Sequence, residues 1–309
     1  MEMTRPDMSV TLAGVTLKNP IITASGTCGY GREYAPYYTP DQIGAITVKA
    51  LSARPRSGNP TPRIAETPSG ILNAIGLQNP GAAHFIEQEL PWLKEIGAVV
   101  IANLAGSSVE DYCEAAAMLS ESDVDMIELN ISCPNVRQGG ITFGTDPAMA
   151  EQVTAAVRKS CKKPLIVKLS PNVTDITEIA RAAQSGGADA LSLINTLLGM
   201  RIDIRTRRPL LANNTGGLSG PAVFPVAVRM VWQVRQAVDL PLIGMGGVAS
   251  GADAAELMLA GADAVAVGTA AFRDPYAPVR IRDELEAFCA EQKIGAVREL
   301  SGAVIPYEK

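Results

Sequence analysis

Met126-Ile127-Glu128-Leu129-Asn130-Ile131-Ser132-Cys133-Pro134-Asn135 opens as a mostly apolar run and gathers its chemistry at the carboxyl end. A thiol accepts a proton only as thiolate, with an ordinary pKa of roughly 8.5. Amide side chains beside it can orient a polar, planar substrate without competing for protons. A buried cysteine in a strand-to-loop turn ended by Pro134 would read the same in isolation. The rest of the chain decides between these readings.

Seven further runs are built alike: Pro20–Ala24, Ala45–Lys49, Val99–Leu104, Leu165–Leu169, Ala190–Asn195, Leu242–Met245 and Ala264–Val267. With Met126–Ile131 they make eight largely apolar strands, as expected for a sheet buried on both faces. Helical patterns separate them, among them Val109–Ser120, Asp146–Cys161, Ile176–Ser185, Pro221–Ala237 and Ala252–Ala260. Eight βα units predict a single (β/α)8 TIM barrel over residues 1–309, with its active site at the carboxyl ends of the strands. An open doubly wound sheet would usually announce itself by a G-x-G-x-x-G turn after the first strand, which is absent. Gly187-Ala188-Asp189-Ala190 and Gly261-Ala262-Asp263-Ala264 echo each other as helix-ending glycine turns and read as structural. Two connections, Leu51–Gln78 and Gly199–Gly220, exceed the usual length and are expected to be loops that act as lids or binding surfaces.

Across 309 residues, 47% are hydrophobic and 19% charged, which fits a globular enzyme and argues against disorder. A net charge of −5 gives no reason to expect nucleic acid or an anionic membrane as partner. No apolar run approaches the roughly 20 residues needed to span a bilayer. The first residues lack a signal-peptide pattern, so a cytoplasmic location is expected. Cys28, Cys113, Cys133, Cys161 and Cys289 form no C-x-x-C pair, which leaves no local spacing for zinc or an iron–sulfur cluster. His84, the single histidine, reads as a loop or helix-start residue, and hydrolase arrangements that need histidine lose their weight.

Polar residues recur where a barrel would use them. Lys49 ends one strand and Lys168 sits within another, and an ammonium in an apolar strand is costly unless it meets an anion or dense polar partners. Asn103, Asn130 and Asn195, the last followed by Thr196, also fall at strand ends, although asparagine disfavours strands. Gly246-Gly247 and Gly268-Thr269 close the last two strands, where glycine permits close approach of backbone to an oxyanion and helix N-termini offer donors. A phosphate site in this position is a recurrent barrel feature. A phosphorylated redox cofactor such as FMN would use both the cradle and a lysine near its electron-rich N1/O2 edge.

These residues resemble the class 1 dihydroorotate dehydrogenases, above all the catalytic subunit of the NAD-linked class 1B enzymes. The resemblance runs from Lys18-Asn19-Pro20-Ile21 to Gly268-Thr269. It is most specific at Asn73-Ala74-Ile75-Gly76-Leu77-Gln78-Asn79, at Asn130–Asn135 and at Ile194-Asn195-Thr196. It implies an FMN-dependent barrel that oxidises dihydroorotate to orotate in pyrimidine biosynthesis, with Cys133 as the base that removes the C5 proton. It further implies FMN contacts from Ser25, Lys49, Ala50, Asn103, Asn130, Lys168, Ile194, Gly220, Gly246, Gly247, Gly268 and Thr269. The orotate site would comprise Lys49, Asn73, Ala74, Ile75, Gly76, Leu77, Asn130, Asn195 and Thr196. Electrons would pass to a partner subunit bearing FAD and a [2Fe–2S] cluster and from it to NAD, with a homodimer at the core of a heterotetramer. A cysteine base and the lack of an N-terminal membrane extension fit class 1 rather than class 2. The rival readings are a dihydropyrimidine dehydrogenase-type subunit, a fumarate-linked class 1A enzyme and a non-catalytic barrel that binds a phosphorylated metabolite.

Overall fold

Eight parallel strands form one sheet in the computed structural model, which describes residues 5–132 and 143–307. We number them β1 (Ile21–Thr23), β2 (Ile46–Thr47), β3 (Val100–Leu104), β4 (Met126–Asn130), β5 (Leu165–Lys168), β6 (Ala190–Leu193), β7 (Leu242–Met245) and β8 (Ala264–Val267). From β2 to β8 each strand pairs with the next in sequence, and β8 pairs with β1. A parallel bridge of Ile22 with Ala45 closes the ring, where Gly44 N–H donates to the Ile21 carbonyl at 2.7 Å. The eight expected strands and the (β/α)8 barrel are therefore present. Every residue of all eight strands is buried, because strand side chains face either the barrel interior or the surrounding helices.

The helices begin where the sequence supplies caps. Ser108, Asp146 and Asp175 each accept a backbone N–H of the first turn, and Ser250 and Asp253 form a reciprocal capping box. The expected helix over Pro221–Ala237 resolves into a 3-10 turn, Pro221–Val223, and a helix, Phe224–Arg235.

The echoed glycine turns prove structural, and they belong to a device repeated at the amino end of the barrel. Asp125, Asp189 and Asp263 each stand just before an even-numbered strand. Each accepts the first N–H of the preceding odd-numbered strand, from Val100 (2.7 Å), Leu165 (2.8 Å) and Leu242 (2.8 Å). Lys94, Arg158 and Arg235 pair with the same carboxylates. These ends would otherwise leave orphan donors; the ion pairs themselves are partly exposed and add little.

The two long connections cover the cavity end of the barrel as expected, but they carry strands within their loops. Ile64–Thr67 and Gly70–Asn73 from the first pair with Leu197–Gly199 and Gly216–Ser219 flanking the second, in one antiparallel four-stranded sheet. A small hairpin, Ile202–Asp203 with Arg208–Pro209, extends from it. The strands were hidden from the sequence because most are edge-like, half-exposed and rich in glycine, so neither alternation nor apolar runs mark them. Gly217 shows why glycine is required: a Cβ there would lie 1.9 Å from the Thr196 hydroxyl oxygen. Among the described residues no helix is long and apolar enough to cross a membrane.

Candidate active site

The antiparallel sheet roofs the carboxyl end of the barrel and encloses a cavity of about 690 Å³. That volume is in the range that holds a cofactor or a substrate of ordinary size. Ser25 reaches it from the turn after β1, Lys49 and Ala50 after β2, Asn130 from β4 and Lys168 from β5. Ile194, Asn195 and Thr196 follow β6, Gly246 and Gly247 follow β7, and Gly268 and Thr269 follow β8. Asn73, Ile75, Gly76, Leu77 and Gly220 come from the roof. All these expected residues share one cavity. Ala74 does not line it, being buried beneath the roof with Leu72 and Leu211. Asn103 also lies outside the lining, fully buried behind the cavity wall. Cys133, with Pro134 and Asn135, lies outside the described residues.

The two glycine loops present bare backbone. Gly246 and Gly247 have φ of 122° and 83°, a region open to glycine and strained for other residues. Among the described residues, the N–H groups of Gly246, Gly247, Val248, Gly268 and Thr269 have no hydrogen-bond partner in the protein. The next donors are engaged: Ala249 and Ser250 N–H donate to Asp253, and Gly251 N–H to Glu284. Unpaired backbone amides on a cavity wall are donors of the kind that can meet an oxyanion.

Two cations enter from neighbouring strands. Lys168 is buried; its ammonium donates to the Ser25 hydroxyl at 3.1 Å and stands 3.9 Å from the Glu128 carboxylate. Lys49 is half-buried and makes no side-chain hydrogen bond or ion pair among the described residues. Burial pushes its pKa below the ordinary lysine value, Glu33 opposes that, and Arg63 adds to it. A desolvated ammonium of this kind gains from an anionic partner.

The amides are fixed by a small network. Ser132 donates its backbone N–H (3.2 Å) and hydroxyl (2.8 Å) to Asn130 Oδ1. Asn195 Nδ2 donates to Ser132 Oγ at 2.6 Å, while Asn195 Oδ1 accepts Thr196 N–H at 2.8 Å. Asn172 ties Thr196 to the roof, donating to its carbonyl at 3.0 Å and accepting Leu198 N–H at 2.8 Å.

Sequence reasoning missed Ser132, Asn172 and Glu128 as parts of this site. Ser132 adjoins Cys133 and could have been singled out; Glu128 inside a buried strand was a signal of the same kind as Lys168.

The remaining cysteines lie elsewhere. Burial pushes the Cys28 thiol up to about 12 and also raises Cys161 and Cys289; with Cys113, none lines the cavity. His84 is exposed at the end of a short helical turn, Ala82–His84, as its sequence position suggested.

Comparison with known proteins agrees with this geometry. The family model described as dihydroorotate dehydrogenase matches residues 7–289. A protein of Citrifermentans bemidjiense named "Dihydroorotate dehydrogenase B (NAD(+)), catalytic subunit" is 60% identical over 303 residues, covering 98% of this chain and 99% of the relative. Proteins of the same name from Geotalea uraniireducens and Alkaliphilus metalliredigens are 58% and 56% identical, each across 98% of this chain and all of the relative. Barrel, roofed cavity and relatedness converge: the chain belongs to the dihydroorotate dehydrogenase family.

Proposed function

We infer that this chain is an NAD-linked, FMN-dependent dihydroorotate dehydrogenase catalytic subunit that oxidises (S)-dihydroorotate to orotate in pyrimidine biosynthesis. The observation that carries the reading is one cavity uniting five unpaired amide donors, two lysines and the strand-end amides. Relatives named for the NAD-linked enzyme weigh against the dihydropyrimidine dehydrogenase, fumarate-linked and non-catalytic readings.

The residues present fit FMN. Gly246, Gly247, Gly268 and Thr269 would receive the phosphate on their free N–H groups, with Gly220 and Ser25 nearby on the same cavity wall. Lys168 would offer its ammonium to the electron-rich edge of the flavin ring, flanked by Ala50, Asn130 and Ile194. Asn103 would act from behind the wall, where its Oδ1 is buried with no partner among the described residues. When bound, FMN supplies the two-electron acceptor for the hydride that leaves C6.

The protein's own groups do the rest. Oxidising the C5–C6 bond also removes a proton from C5, and we assign that step to Cys133 as thiolate. Lys49 would neutralise the substrate carboxylate. Asn73, Asn130, Asn195 and Thr196 would hydrogen-bond the ring, while Ala74, Ile75, Gly76 and Leu77 form the roof segment above it. Ser132 would hold Asn130 and Asn195 at a fixed spacing, so the ring is ordered beside the base before reaction.

We propose further that residues 1–309 form one domain in the cytoplasm. A partner subunit carrying FAD and [2Fe–2S] would deliver the electrons to NAD, around a homodimeric core within a heterotetramer. Leu198, Met200, Ile202 and Ile204, exposed together around the roof, support a protein-covered surface there. The deciding experiment is anaerobic bleaching of the yellow purified protein by dihydroorotate, with dihydrouracil as control. Bleaching by dihydrouracil alone, or a colourless protein that binds no FMN, would overturn the reading.

A further inference from the structure

Glu128 is the most buried carboxylate near the cavity, at 1% exposure, yet it touches neither the cavity nor solvent. It stands on β4 opposite Asn103 of β3, with Lys168 two residues along on the neighbouring β5. Ser192 of β6 donates its hydroxyl to Oε1 at 2.7 Å, and the Asn103 amide donates to Oε2. The Lys168 ammonium lies 3.9 Å from Oε2. A buried carboxylate and a buried ammonium each cost free energy, and removing either partner leaves the other uncompensated. Among the described residues, Lys168 is the only cation paired with Glu128, and Glu128 the only anion paired with Lys168.

We propose that Glu128 is a positioning residue for the oxidation: it is the counter-ion that keeps the Lys168 ammonium charged and aimed at the cavity, and so sets how readily the bound flavin accepts electrons. The inference rests on the flavin reading of the cavity. Lys168 has two fixed contacts, Glu128 behind and Ser25 to the side, and its remaining donor capacity faces the cavity. Among the described residues, the other charged side chains on the cavity are Lys49 after β2, and Arg273, Asp274 and Arg280 after β8. Asp274 and Arg280 are paired with each other, so neither supplies Lys168 with a substitute counter-ion.

If Glu128 is that counter-ion, reduction of the wild type should draw no solvent proton to Lys168. Glu128→Gln keeps the shape and removes the charge; its retained oxygen can still accept from Asn103, while its new amide donates to the Ser192 hydroxyl, which turns to accept. A buried lysine left without its counter-ion should then release its proton beside oxidised flavin and take one from solvent on reduction, adding one proton per two electrons.

The test is dye-mediated potentiometry of the FMN-loaded protein across neutral to alkaline pH. In the wild type the midpoint potential should fall with the slope of one proton per two electrons at alkaline pH. In Glu128→Gln that slope should rise about twofold, since each proton adds the same increment to a two-electron couple. The increase should vanish in a Lys168→Met background, whereas a purely structural Glu128 would change stability or FMN affinity and leave the slope alone. A wild-type slope in FMN-loaded Glu128→Gln overturns the proposal, as does a steepening that persists without Lys168. If Glu128→Gln does not load FMN, the wild type still decides: a two-proton slope at alkaline pH means that Lys168 is not held charged. Failure of the wild type to bind FMN would overturn the flavin reading instead.

Discussion

Asn195 Nδ2 lies 2.6 Å from Ser132 Oγ, which ties the end of β6 to the residue immediately before Cys133. The same serine hydroxyl donates to Asn130 at the end of β4. One small side chain thus spaces two amides proposed to hold the substrate and precedes the proposed base in sequence. Asn195→Ala should therefore lower kcat as well as raise KM, by about 10-fold or more in kcat/KM, which corresponds to the ~1–3 kcal/mol of a lost buried hydrogen bond. Ser132→Ala should reproduce part of the loss. Steady-state kinetics with a dye acceptor check this, and an unchanged kcat in both variants would remove the network from catalysis.

Replacing Cys133 by alanine should leave FMN bound and slow flavin reduction by dihydroorotate roughly 10²–10⁴-fold, the range for losing a general base. Cys133→Ser should be slow but recover with rising pH, because a hydroxyl is the weaker acid. Stopped-flow bleaching at wild-type speed in the alanine variant would take Cys133 out of the mechanism.

The glycine loops should govern cofactor retention, and the two differ as test sites. A Cβ at Gly247 would meet Phe224 Cβ at 2.7 Å and the Gly220 carbonyl at 2.9 Å, so any side chain there strains the fold as well. At Gly268 the nearest atoms are Ala24 Cβ at 3.2 Å and Thr27 Cγ2 at 3.5 Å, so a side chain is tight but admissible. Gly268→Val should purify folded and poor in flavin. Full flavin occupancy by absorbance would move the phosphate elsewhere.

Lys49 predicts a pH dependence of the FMN-free protein. Burial lowers its folded-state pKa, while the unfolded chain keeps the proton up to about 10.4. Between the lowered value and that limit the unfolded state binds more protons, so stability rises with pH through this window. Below it the folded protein carries the full cost of the desolvated ammonium. Lys49→Met should flatten the alkaline rise in Tm, and an identical Tm–pH profile in both proteins would contradict the desolvation.

Electron acceptors separate this chain from the complete system. With dihydroorotate the isolated protein should reduce a dye rapidly and NAD poorly, and NAD reduction should appear when the partner subunit is added. Rapid fumarate reduction by the chain alone would assign it to the fumarate-linked class.

Much of this was legible along the chain, because barrel strands are buried on both faces and repeat in apolar runs that a reader can count. Lys49, Asn130, Lys168 and Asn195 stood out for a related reason: each is a polar residue at the end of an apolar run, where burial demands a partner. The roof was not legible. Gly70–Asn73 and Gly216–Ser219 lie far apart in the chain and pair only in the fold, and no local pattern marks a half-exposed, glycine-rich strand. Asn103 shows the same limit at a single residue. Its strand-end position suggested a cavity contact, but only the folded barrel decides that its amide turns to Glu128. Residue types and their spacing set the barrel and its chemistry, because periodic burial is a local property. Which side chains face one another across the barrel depends on strand register and closure, and those exist only in three dimensions.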